Sequence, residues 1–305
     1  MTAETTAKTA PSLMGGPARL KNLLTKGMLV AAPGAPDCLT ARMVEQAGFP
    51  AVYMTGLGAT AMRLGQPDLG LMTQTEMADH ARAMVRAVPV PVIADADTGY
   101  GGPLNVRRTV EEYAQAGVAA LHLEDQESPK RCGQLAGVRL VSAREAELRI
   151  AAAVSARREA GADMLLIGRT DALQPEGLGS ALDRVRRYRD LGADLAFVDG
   201  VKTRKEAEGI ARGLEGPKVI SLVDGTDAAS LSRSELTEMG FSIVLYAVTT
   251  LFAAGAAIRE ALAHLSRAGT PDGLPNQMTY AEFCETVDLS RFQTFAHEHE
   301  AETLH

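Results

Sequence analysis

Short apolar runs of four or five residues recur along the chain: Met28–Ala32, Ala51–Met54, Pro91–Ala94, Ala119–Leu123, Met164–Ile167, Leu195–Val198, Val219–Leu222 and Ser242–Leu245. Between them lie amphipathic stretches with apolar residues at helical spacing, such as Ala143 to Ala160. The punctuation agrees with this rhythm. Ser142 with Glu145, Thr203 with Glu206 and Ser232 with Glu235 spell capping boxes at helix starts. Gly48, Gly117, Gly161, Gly192 and Gly240 each close a helical stretch before a strand, where a left-handed glycine is expected. Eight such strands alternating with helices predict an α/β fold, a closed (β/α)8 TIM-type barrel, and their near-continuous apolar character suits burial on both faces. The alternative, an open doubly wound sheet, lacks a Gly-x-Gly-x-x-Gly after its first strand. Residues 1–16, rich in Thr, Ala, Pro and Gly, predict a flexible tail, followed by a short helix near Ala18 to Thr25. Residues 17–305 then form one barrel domain, with appended C-terminal helices over about 270–305 and a last helix from Tyr280 through about Phe295.

The strand ends carry the chemistry in a barrel of this kind. Asp95 and Asp97 follow the third run, and side-chain alternation with period two places them on one face; Glu124 ends the fourth. Carboxylates gathered at one mouth repel one another unless a cation sits among them, and hard oxygen ligands suit Mg2+, with Mn2+ as a substitute. The competing reading makes these acids N-caps of the following helices. Arg169 and Asp171 follow the fifth run, then come Asp199, Ser221 with Asp224, and Tyr246. Arg169 suits a bidentate carboxylate clamp, or else a salt bridge to Asp171 or Asp199 that holds the mouth together. Tyr53 ends the second run, and the small residues of Thr55-Gly56-Leu57-Gly58 offer backbone N–H groups to a carboxylate, or make an ordinary glycine turn. Asp68 is a metal-supporting acid or a turn aspartate.

The segment from Asp125 to about Leu140 is too polar and glycine-punctuated for a core element, and its length suits a lid. It carries Lys130-Arg131-Cys132-Gly133-Gln134. A thiol between two cations is expected to ionise more readily than a free one, which suits proton transfer or nucleophilic work; the alternative is an incidental free cysteine. Cys38 and Cys284, in helical contexts, read as packing residues.

Composition narrows the picture. A formal charge of −7 with scattered arginines offers no footprint for nucleic acid. Three cysteines far apart suggest a reducing compartment, and neither a signal segment nor a bilayer-length apolar run is visible, so a cytoplasmic protein without membrane contact is expected. With 46% hydrophobic residues but only 4% aromatic, the core must be built of Ala, Val, Leu and Ile.

The motifs Tyr53-Met54-Thr55-Gly56, Pro67-Asp68-Leu69-Gly70, Asp95-Ala96-Asp97-Thr98-Gly99-Tyr100-Gly101, His122-Leu123-Glu124-Asp125-Gln126, Pro129-Lys130-Arg131-Cys132-Gly133 and Arg169-Thr170-Asp171-Ala172 resemble the isocitrate lyase / phosphoenolpyruvate mutase superfamily, over about Leu24 to Ala268. The cysteine loop looks like the branch of 2-methylisocitrate lyase, dimethylmalate lyase and carboxyphosphonoenolpyruvate mutase. The resemblance implies a Mg2+-dependent barrel, usually a homotetramer, with its last helices exchanged between subunits. It implies Asp95 as direct metal ligand, with Asp97, Glu124 and Asp68 holding the metal's waters. Thr55, Gly56 and Leu57 would bind the carboxylate of an α-oxo acid unit, Arg169 would clamp the substrate, Cys132 would be the general acid and Tyr53 would handle the hydroxyl proton. Departures from the family pattern are Gln134 where the lyases have His, Asp199 where they have Glu, Ser221 where they have Asn, and no Pro after Tyr246. In the lyases the positions of Gln134, Asp199 and Ser221 help to bind the leaving carboxylic acid, and Gly133 would also bind the substrate, so an unusual substrate is expected.

The expected activity is Mg2+-dependent cleavage of a substituted malate-like 2-hydroxy acid into an α-oxo acid, pyruvate or glyoxylate, and a second carboxylic acid. Alternatives are an oxaloacetate hydrolase or decarboxylase, a carbon–phosphorus bond enzyme, or a non-catalytic barrel that binds oxo acids.

Overall fold

The structure is a computed structural model that describes residues 15–300. Eight parallel strands close into a barrel in sequence order: β1 (Val30–Ala35), β2 (Val52–Met54), β3 (Val92–Asp95), β4 (Ala120–Leu123), β5 (Leu165–Thr170), β6 (Leu195–Val198), β7 (Lys218–Leu222) and β8 (Ile243–Tyr246). All eight expected runs are strands, displaced by at most a few residues. The five glycines expected at helix ends have positive φ, from 59° at Gly161 to 108° at Gly192. Full capping boxes form at Thr203 and Ser232, whereas Ser142 caps its helix alone because Glu145 turns to Arg149 (2.6 Å).

Two features depart from expectation. Residues 1–14 of the expected tail lie outside the described residues, and Gly16 already begins a helix, Gly16–Thr25. Its Leu20 is fully buried in the barrel interior, with Leu23 and Leu24 against the same cluster. The helix is therefore a plug at the end of the barrel opposite the strand C-termini. At the other terminus the single expected helix is two, Tyr280–Thr286 and Leu289–Glu300, separated where Asp288 adopts a φ of 58°. The first of these leans on its own barrel: Arg42 Nε and Gln46 Nε2 donate to the Thr286 carbonyl at 2.7 and 3.1 Å.

Alternation along the strands divides the core in two. Val30, Ala32, Ala51, Ile93, Ala120, Ile167, Phe197, Val219 and Leu245 fill the inside of the barrel, and the intervening residues pack outward against the helices. Continuing the inward series toward the strand ends gives Asp95, His122, Arg169, Asp199 and Ser221, so polar groups form the layer above the apolar filling. Tyr246, expected among the mouth residues, belongs to the outward series and packs in the outer layer, while Asp224 accepts from Thr249 Oγ1 at 2.8 Å.

The β1–β8 seam leaves no room for a side chain at Gly34, where a Cβ would lie 2.3 Å from the Ala247 carbonyl oxygen. Gly34→Ala is therefore expected to open the seam and cost several kcal/mol, more than the roughly 1 kcal/mol of the cap deletion Thr203→Ala. Denaturant titration of the two variants checks the order; equal midpoints would refute it.

Candidate active site

The ends of β2 to β7 supply one or two groups each to the mouth. At β2, Thr55 caps the helix Gly56–Leu64 by accepting from Gly58 N, and the Gly56 N–H donates to Asp95 Oδ2 at 3.2 Å. A Cβ on Gly56 would lie 2.5 Å from that carboxylate oxygen, so only glycine allows the approach. The small-residue segment is thus a helix N-terminus, with the N–H positivity that implies. At β3, Asp95 is the last strand residue. Asp97 reaches the same cluster through a turn with a φ of 46°, its N–H donating to Asp95 Oδ1 at 2.9 Å, and not through strand alternation as expected.

The expected acids come together, and two cations already lie among them. Lys130 Nζ, from the lid, stands 2.7 Å from Asp68 Oδ1 and 2.7 Å from Asp97 Oδ1. Arg169 Nη2 stands 2.7 Å from Asp199 Oδ2, 2.9 Å from Asp171 Oδ1 and 3.1 Å from Glu124 Oε2. Arg169 Nε also donates to Asp171 Oδ2 at 3.1 Å, so the guanidinium is bidentate on that acid. Its salt-bridge role is realised, and the same atom faces the mouth with Asp199.

Burial governs the protonation of these groups. It pushes Asp97 up to about 6, with Asp95 and Asp68 adding to the rise against Lys130. Burial also drives Glu124 well above the carboxylate range, the nearby Asp171 adding to it against Arg169. For Asp95 burial is outweighed by His122, Lys130 and Arg169, which hold it at about 2. Neither oxygen of Glu124 has a hydrogen-bond partner, nor do Asp97 Oδ1 and His122 Nδ1, although Lys130 and Arg169 stand at ion-pair distance from two of those oxygens. Among the described residues, no three His, Cys, Asp or Glu side chains already converge as a ligand set. Six acids, Asp68, Asp95, Asp97, Glu124, Asp171 and Asp199, nevertheless share two cations, Lys130 and Arg169, with Asp95 beside the imidazole of His122. A surplus of buried carboxylates over cations, some without a hydrogen bond, suits the oxygen ligation of a hard divalent ion.

Sequence reasoning passed over two residues here. His122 is fully buried, its Nε2 3.1 Å from the Tyr53 hydroxyl and its Nδ1 3.6 Å from Asp95 Oδ1. Burial lowers it to about 4, so the imidazole is neutral. The inward alternation Ala120, His122, Glu124 was the signal that would have revealed it. Lys130 had been noted only as a neighbour of Cys132.

The lid spans residues 126–140 and is closed at its base by an antiparallel bridge between Gln126 and Leu140. Gly133 lies on the Arg169 cluster so closely that a Cβ would be 2.5 Å from both Asp171 Oδ1 and Asp199 Oδ2. The expectation that Cys132 ionises readily is overturned. Lys130 is taken up by Asp68 and Asp97, Arg131 Nη1 turns to the Ala136 carbonyl (2.9 Å), and burial pushes the thiol up to about 11. The thiol therefore keeps its proton. Cys38 and Cys284 are half-buried on helices, away from this loop. Ser221 is buried on the inward face of β7.

This geometry has relatives. Residues 20–266 match the family model described as phosphoenolpyruvate phosphomutase. The 2,3-dimethylmalate lyase of Eubacterium barkeri is 39% identical over 93% of this chain and 98% of its own. Oxaloacetate acetylhydrolase in complex with the inhibitor 3,3-difluorooxalacetate superposes with a TM-score of 0.90 at 39% identity, over 94% of this chain and 97% of that one. Phosphonopyruvate hydrolase in complex with oxalate and Mg2+ superposes with a TM-score of 0.83 at 29% identity, over 92% and 98%. With the barrel, the acid cluster and the cysteine lid on one chain, and a match across most of its length, the protein belongs to the phosphoenolpyruvate phosphomutase family.

Proposed function

We propose that the chain is a Mg2+-dependent carbon–carbon lyase that cleaves a substituted malate-like 2-hydroxy acid into an α-oxo acid and a second carboxylic acid. The observation that carries this reading is the pairing of a carboxylate-rich mouth with a protonated, lid-borne thiol beside it. Asp95, Asp97, Glu124 and Asp68 would hold the ion, directly or through water, and the surplus of buried acids over the cations Lys130 and Arg169 supports that role. When bound, Mg2+ supplies Lewis acidity toward the oxygens of the oxo acid unit.

The chain's own groups supply the rest. N–H groups at the start of the helix Gly56–Leu64, with Thr55 and Leu57, suit a substrate carboxylate, and Arg169 adds the fixed positive charge opposite. Tyr53 keeps its proton because burial and the neighbouring Asp95 raise it well above the ordinary phenol range. With Nδ1–H toward Asp95, the neutral His122 leaves Nε2 to accept from the Tyr53 hydroxyl, a path by which the substrate's hydroxyl proton can leave. Cys132 delivers the proton that quenches the carbanion of the departing fragment, and the lid above it excludes water. Asp199 and Ser221 line the half of the mouth that receives that fragment. The likeness to oxaloacetate acetylhydrolase supports a second reading, hydrolysis of oxaloacetate in the same site.

A homotetramer with exchanged C-terminal helices completes the proposal. The helix Thr249–Ala268 buries none of its residues within the chain, leaving Phe252, Ile258 and Leu262 more than half exposed at 53%, 54% and 61%. Three free cysteines support a cytoplasmic setting, and among the described residues no helix is long and apolar enough to cross a membrane.

Incubation with Mg2+ and a panel of 2-alkylmalates, methylisocitrate, oxaloacetate and phosphonopyruvate, read through coupled lactate dehydrogenase, tests the reaction. Oxo acid release from a hydroxy diacid, abolished by chelator, is expected; acetate from oxaloacetate alone would transfer the chain to the hydrolase reading. Cys132→Ser is expected to lower turnover by about 100-fold or more, since a positioned general acid is worth that much. Retention of full activity would remove the thiol from the chemistry. Because the raised thiol keeps its proton below about pH 11, Cys132 alkylation should be slow at pH 8 and climb toward pH 11. A rate already at its plateau by pH 8 would contradict the protonated-donor role.

A further inference from the structure

Gln126 stands where β4 gives way to the lid, and only 1% of it is exposed. Both ends of its carboxamide act on one residue across the loop. Oε1 accepts from Arg131 N at 3.0 Å and Nε2 donates to Arg131 O at 2.8 Å. A side chain that meets both main-chain groups of one residue substitutes for a strand partner at that position.

The grip is anchored from behind. The Gln126 carbonyl accepts from Arg149 Nη1 at 3.1 Å. The preceding Asp125 faces away from the mouth, where its Oδ2 accepts from Thr170 Oγ1 (2.6 Å), Tyr188 OH (2.8 Å) and Arg184 Nη1 (3.2 Å). Its Oδ1 accepts from the Asp171 N–H at 3.0 Å, and Asp171 is the bidentate partner of Arg169. The base of the lid and the orientation of the clamp therefore share one buried network. In front, the gripped Arg131 is the covalent neighbour of Cys132, whose N–H donates to the Asp68 carbonyl at 3.1 Å. The Arg131 guanidinium turns to Ala136, so residue 131 is fixed at this point through its main chain.

We infer that Gln126 is the positioning residue of the lid: its carboxamide sets the register of residue 131 and so holds the Cys132 thiol beside the Arg169 cluster. It touches no reacting atom. Glutamate offers the acceptor without the donor, and leucine offers neither, so the two substitutions grade the loss. The consequence for turnover rests on the proposed role of Cys132; the consequence for the thiol's protection does not.

The experiment alkylates the full-length protein with iodoacetamide at pH 8 and follows all three cysteines by peptide mass spectrometry, with Cys38 and Cys284 as internal references. In Gln126→Leu the Cys132 rate relative to the references is expected to rise about tenfold, the equivalent of one lost hydrogen-bonded grip. In Gln126→Glu it should rise by a smaller factor. On the substrate that the panel identifies, kcat should fall with little change in KM, and Gln126→Leu should add no further loss to Cys132→Ser. An unchanged relative rate in both variants, or single losses that multiply in the double variant, would overturn the inference. If the wild type turns over no acid of the panel, the lyase reading fails, while the alkylation ratio still decides the register. If the leucine variant does not fold, the glutamate variant decides by the same ratio.

Discussion

The organising constraint of this molecule is an excess of buried negative charge at one end of a barrel. Acids that would be solvated on a surface are here nearly without solvent, and two cations are shared among them. Burial raises Asp97 and Glu124 while His122, the ammonium and the guanidinium outweigh burial at Asp95, so the acids of one cluster differ in how firmly they hold a proton. The mouth thereby suits positive charge, and the loop that carries Lys130 supplies part of it from within the chain. Isolated carboxylates in a low dielectric are costly, so an arrangement that concentrates them marks this mouth as the candidate site.

Everything beneath the mouth serves to hold that charge in place. Inside the barrel an apolar filling, plugged at the far end by Leu20, denies water a route from below. Outside it, Asp125, Arg184, Tyr188 and Thr170 form a fully hydrogen-bonded network that ties the ends of β4 and β5 to the helix Leu178–Asp190. Neighbouring residues on one strand end thus have opposite duties. Glu124 turns into the mouth without a hydrogen bond, at ion-pair distance from Arg169 alone, and Asp125 turns outward with both carboxylate oxygens engaged. The same alternation that separates the two hydrophobic layers separates reactive acid from structural acid.

Much of this was legible in the residue pattern because it is local. Apolar runs ended by glycine and capping residues located all eight strands, and barrel logic then pointed to Tyr53, Asp95, Glu124, Arg169 and Asp199 at their ends. The reading failed where partners are remote in sequence. Cys132 between Lys130 and Arg131 looked like an activated thiol, yet both cations turn to other partners, Lys130 to Asp68 and Asp97. Tyr246 looked like a mouth residue because it follows an apolar run, yet Ile243 and Leu245 are the inward positions of β8, so the next side chain falls on the other face. His122 was hidden in a motif whose acids drew attention first.

The sequence by itself determined the barrel and the acids gathered at its mouth, since periodicity and helix capping are properties of neighbouring residues. Only the tertiary structure decided the protonation of those groups and the company they keep. That Cys132 holds its proton, that His122 is neutral beside Tyr53, and that Gln126 reaches across the lid to Arg131 all depend on burial and on contacts closed by the fold. Desolvation is a property of the assembled chain, and no stretch of residues carries it alone.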